Sequence, residues 1–129
     1  MKYMILIYSN PQSWVHPLFL HQREQLSEAE RQSQMEQFRG LLQEIAESGE
    51  LVDSAPLADP VNTRTVTVRE GAPEVTDGPF GEAKEQLAGY FLVDCESMER
   101  ATEIAARFPD ARDCAVEVRP LMDPSGLEM

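Results

Sequence analysis

The chain has 129 residues, enough for one domain with a core of its own. Its 11 Lys and Arg stand against 23 Asp and Glu, a net charge of -12, so nucleic acid and anionic membrane surfaces are not expected partners. The 2 cysteines, Cys95 and Cys114, make neither a metal-ligand spacing nor a disulfide framework, and reduced, buried thiols are expected.

The first apolar run, Lys2 to Tyr8, is strand-like and ends at Ser9, Asn10 and Pro11. It is too short for a secretory signal, and no run approaches the roughly 20 apolar residues of a membrane span, so a cytoplasmic location is expected. Residues 12–26 contain Trp14, Val15, Leu18 and Phe19, but Pro17 interrupts any helix, so an ordered excursion is expected. A helix then starts at Ser27, a good N-cap with Glu30 three residues on. Met35, Phe38, Leu41, Leu42 and Ile45 form its apolar stripe, and Gly49 stops it.

Leu51 to Leu57 is extended, and Pro56 and Pro60 mark it as an edge or a loop. In TRTVTVR, residues 63–69, Val66 and Val68 fall on one face and Thr65 and Thr67 on the other. A turn at residues 70–73 leads to a short strand at Glu74 to Thr76. Leu87 to Cys95 is a nearly unbroken apolar run, typical of a central strand. Ser97 caps a second helix whose stripe is Met98, Ala101, Ile104, Ala105 and Phe108, and Pro109 ends it. Ala115 to Leu121 alternates as a last strand. The domain is expected over residues 1–122, with 123–129 a tail.

This order predicts an α+β domain: a ferredoxin-like βαββαβ antiparallel sheet with two helices on one face. Right-handed crossovers put the first and the long apolar strands in the middle. Tyr3, Ile5 and Ile7 oppose Met4, Leu6 and Tyr8 in one; Leu87, Phe91 and Val93 oppose Ala88, Tyr90 and Leu92 in the other. Both faces are apolar, and two helices cover only one. A second copy packed sheet to sheet about a two-fold axis is the simplest cover, so a homodimer is expected. The alternative is that residues 9–26 fold across the open face.

The stretch Thr76-Asp77-Gly78-Pro79-Phe80-Gly81-Glu82-Ala83-Lys84-Glu85-Gln86-Leu87 runs into Gly89-Tyr90-Phe91. With the opening YMILIY, the TRTVTVREG strand and turn, and the closing VEVRPL, it resembles the DGPF branch of the YCII-related family over nearly the whole chain. The resemblance implies a dimeric α/β-barrel of ferredoxin-like topology, in agreement with the patterning. It implies little about activity. A His–Asp pair is the active site proposed for YCII proteins; the resemblance makes Asp77 a candidate counterpart of the Asp, whereas His16 and His21 match no motif. DGPF genes often accompany genes for extracytoplasmic-function sigma factors, which makes a sigma factor a candidate partner.

Several side chains carry a functional and a structural reading side by side. Asp77 is a general base or polar anchor, or it serves the turn chemistry of Asp-Gly-Pro. Lys84 is a cationic partner of Asp77 in a catalytic pair, or a solvated loop charge. Phe80 is expected as a core plug, with a pocket wall as the alternative. Glu117 and Arg119 share a face opposite Val116 and Val118 and so point to the open side of the sheet. Arg119 there would bind a substrate carboxylate or phosphate, or form a cross-strand or intersubunit ion pair; Arg64 has a similar status. His16 is a candidate ligand-binding proton carrier or a surface residue, and His21 has the same two readings. No cofactor and no metal site is expected. Two functions are consistent with these features. One is a homodimeric binding or regulatory module that holds a small-molecule ligand in a cleft beside the sheet. The other is a cofactor-independent enzyme with Asp77 as base, which needs that carboxylate in a water-poor pocket beside a second titratable group.

Overall fold

Alternation sets the first strand. In β1, Lys2–Ser9, every second residue is buried: Tyr3, Ile5, Ile7 and Ser9. The structure, a computed structural model, describes residues 1–9, 27–80, 85–113 and 115–126. The expected excursion with Trp14, His16 and His21 therefore lies outside the described residues, as do Lys84 and Cys114.

Helix α1, Glu28–Glu47, begins where the Ser27 hydroxyl accepts the Glu30 amide at 3.1 Å. It buries Phe38, Leu41 and Ile45, the centre of the expected stripe. Gly49 follows at φ +83°, a left-handed conformation that glycine adopts without a Cβ clash. Strand β2, Leu51–Pro56, is an edge strand, which leaves room for its terminal proline. After a short 3-10 turn come β3, Arg64–Arg69, and β4, Ala72–Asp77. The long strand β5 is Gln86–Asp94; α2, Met98–Ala106, is capped by Ser97; the single turn α3 is Asp110–Asp113; and β6 is Val116–Pro120.

The main sheet has the order β2-β5-β1-β6, all antiparallel, with both long helices on one face. This is the ferredoxin-like arrangement with β1 and β5 central. The core between sheet and helices joins Tyr3, Ile5, Ile7, Phe91 and Val93 to Phe38, Leu41, Ile45, Ala101, Ile104 and Phe108. At its centre three phenylalanine rings meet, with centroid separations of 6.1 Å for Phe38–Phe91, 5.5 Å for Phe38–Phe108 and 4.8 Å for Phe91–Phe108. Such tilted pairs stabilise beyond their buried area.

Two details depart from strict alternation. First, β5 carries a bulge: Ile7 pairs with Gly89 but Tyr8 with Leu87, so Ala88 is the extra residue. Ala88 turns into the core, and Leu87 joins Tyr8 on the opposite face rather than Phe91 and Val93. Second, β3 and β4 stay outside the main sheet. They pair only with each other, as a two-stranded arm between β2 and β5.

Candidate functional site

The cross-strand register turns the sheet face opposite the helices into ordered rows. Asp53, Leu92, Met4 and Arg119 lie side by side from edge to edge; Ala55, Tyr90, Leu6 and Glu117 form the next row. Tyr8 and Leu87 pair beyond them. Met4, Leu6, Tyr8, Tyr90 and Leu92 are half-buried. The face thus has an apolar centre with polar groups toward both edges.

Glu117 and Arg119 sit where their spacing puts them, on this face, while Val116 and Val118 pack toward the core. They act on Tyr8: burial raises its phenol pKa most, the Glu117 carboxylate raises it further, and Arg119 draws it back. At the other edge the Tyr90 hydroxyl donates to Asp53 Oδ2 at 3.2 Å, and the same carboxylate raises the Tyr90 pKa. Arg119 forms no ion pair among the described residues. Tyr8, Tyr90 and Asp53 were not singled out from the sequence. The tyrosines read as strand apolar residues, and only register with the edge strands gives them charged neighbours.

The motif residues lie elsewhere, at the root of the arm. Arg64 and Asp77 are cross-strand partners, with Nε and Oδ1 3.9 Å apart. Their side chains are 77% and 93% exposed, so the pair sits in water rather than in a pocket. Gly78 adopts φ +91°, donates its amide to Thr63 O at 2.7 Å, and its carbonyl accepts the Thr65 hydroxyl at 2.8 Å. The local turn chemistry of Asp77-Gly78 is thus realised by the glycine's backbone. Phe80, expected as a core plug, is 84% exposed. The reason is the arm: the segment never enters the layer between sheet and helices. Lys84 and His16 lie outside the described residues, so their expected roles beside Asp77 remain expectations.

Two open surface hollows lie along α1 and α2, and none of these groups lines them. Among the described residues no cluster of metal-ligating side chains occurs, and no helix is long and apolar enough to cross a membrane.

The model of the YCII-related domain matches residues 1–125. The chain belongs to the YCII-related family. It is also similar to an uncharacterised protein of Rhizobium meliloti (strain 1021), with 36% identity over 99 residues, covering 74% of this chain and 78% of that protein.

In this YCII-related protein the largest charge cluster among the described residues is a structural one. Arg100 on α2 reaches Glu50 through Nε to Oε2 at 2.8 Å and Nη2 to Oε1 at 2.9 Å, a forked pair. Glu103 and Glu44 also accept from Arg100, and Arg107 donates to Glu44 at 2.7 Å. The Arg100 hydrogen bonds hold the Glu50 carboxyl down at about 2, and Glu50 in turn raises the Arg100 pKa. The cluster ties α2 to the end of α1 and the start of β2. The residues are scattered through the sequence, and no local motif announces them.

Proposed function

We propose that this YCII-related protein works as a homodimer that binds a small organic anion against the sheet face its own helices leave open. One observation carries this reading: that face combines a half-buried apolar floor of Met4, Leu6 and Leu92 with a small number of polar groups at its margins. Ligand sites have this composition, mostly apolar with a few oriented polar groups. Arg119 supplies the cation, and its planar fork suits a carboxylate or phosphate. Tyr8 and Tyr90 offer phenols that orient a hydrogen-bonding group. A second copy's sheet facing this one would exclude water from the apolar centre and leave a cleft along the margin that Arg119 and the phenols line.

The alternative, a cofactor-independent enzyme with Asp77 as base, needs a water-poor site around that carboxylate. Asp77 is 93% exposed and faces Arg64, so binding at the sheet is the better-supported reading. The regulatory reading, with a sigma factor as partner, rests on the resemblance of the motif.

The test is a chemical-shift titration of isotopically labelled protein with short mono- and dicarboxylates and with inorganic phosphate. The expected result is a set of shifts at Met4, Leu6, Tyr8, Tyr90 and Arg119 that disappears in Arg119→Ala. Shifts confined to other surfaces, or a monomer in sedimentation at micromolar concentration, would overturn the reading.

A further inference from the structure

The arm is amphipathic, and among the described residues no element pairs with it. On one face of the ribbon lie the cross-strand pairs Arg64–Asp77, Val66–Val75 and Val68–Pro73; on the other lie Thr65–Thr76 and Thr67–Glu74. The polar face can stand in water. The apolar face is built for cover, yet Val66, Val68 and Val75 are 60%, 66% and 57% exposed. Two-stranded ribbons are at best marginally stable alone in water. Phe80, at the root of the same arm, is more exposed still.

We propose that the β3–β4 arm is a clasp that closes on a second copy of the chain, laying its Val66, Val68 and Val75 face against that copy. The inference rests on the sheet-to-sheet dimer proposed above and identifies what completes it.

Area is the argument for this occupant. Four strands spaced about 4.8 Å apart, each about 20 Å long, present roughly 400 Å². A stable dimer buries about 800 Å² of accessible surface per partner, about twice this flat area. The apolar face of the arm, two strands of six residues, adds about 200 Å². The largely exposed Phe80 adds a further apolar side chain at the root of the arm. The arm therefore enlarges the flat contact area by about half and brings it closer to what a stable dimer needs. Charge agrees. The chain carries a net charge of -12, which opposes self-association in general. The apolar face of the arm, however, bears one cation and one anion, Arg64 and Asp77, which neutralise each other.

The test is sedimentation velocity over a concentration series for the full chain and for the double variant Val66→Thr/Val75→Thr. Threonine keeps the shape and the strand preference of valine, and both sites are exposed, so the ribbon itself is retained. The expected result is a dissociation constant raised at least tenfold, with an unchanged far-ultraviolet spectrum. Thr67→Ser on the polar face should leave the constant unaltered. Hydrogen exchange offers a second measurement: the arm amides should gain protection as protein concentration crosses the dissociation constant. A wild-type dimer whose affinity is indifferent to the double variant, or whose arm amides are equally protected in the monomer, would overturn the clasp and leave the sheet dimer standing. A wild-type monomer would overturn both.

Discussion

Acid should weaken this fold through Glu50 more than through any other carboxylate on the α1–β2–α2 seam. The side chains of Glu50 and Arg100 are 16% and 21% exposed, and two short charge-assisted hydrogen bonds join them. The Glu50 pKa falls from 4.5 in the unfolded chain to about 2 in the folded one. A depressed carboxylate pKa contributes stability that is complete above the unfolded value and is lost as pH falls through the folded value. The window is therefore from about pH 5 down to about pH 2. At 1.36 kcal/mol per unit the shift corresponds to about 3 kcal/mol, and solvent screening of a partly wetted pair brings this to about 1.5 kcal/mol. The perturbation is Glu50→Gln, and the assay is urea unfolding at fixed protein concentration from pH 7 to pH 2.5. The variant should be about 1.5 kcal/mol less stable than wild type at pH 7. The difference should shrink below pH 4.5 and vanish near pH 2. Parallel curves, with the same gap at every pH, would refute the assignment of the shift to the Arg100 pair.

Three further outcomes are expected. Phe108→Ala removes one ring of the aromatic cluster beneath the sheet and should cost about 3–5 kcal/mol in chemical unfolding, because the site is 1% exposed and cannot collapse fully. In an ultraviolet titration of the phenols, Arg119→Ala should move the Tyr8 transition to higher pH and Glu117→Gln to lower pH, since the first removes a lowering charge and the second a raising one. Gly78→Ala places a Cβ on a residue at φ +91° and should cost about 1–2 kcal/mol locally, seen as lost exchange protection of the amide that bonds Thr63 O, while the main sheet stays protected.

The sequence by itself determined the elements and the layering. Nearly unbroken apolar runs at residues 2–8 and 87–95 have the character of central strands, and the stripe through Phe38, Leu41 and Ile45 is the helix face that packs on them. Ser27, Gly49 and Ser97 act at the helix ends as local chemistry dictates. The two-sided greasiness of β1 was legible for the same reason: side-chain alternation is a local rule. Tertiary structure decided what depends on pairing partners far apart in the chain. It excluded β3 and β4 from the sheet, which carried Phe80 into solvent although its hydrophobicity pointed inward. It put a bulge at Ala88 that sent Leu87 to the open face. It also set Asp53 beside Tyr90, and Glu117 and Arg119 near Tyr8, because register across four strands is fixed by the competition of all their side chains for one core. The same holds for Glu50 and Arg100: a forked ion pair needs two groups brought together from fifty residues apart, and no periodicity along the chain encodes that meeting.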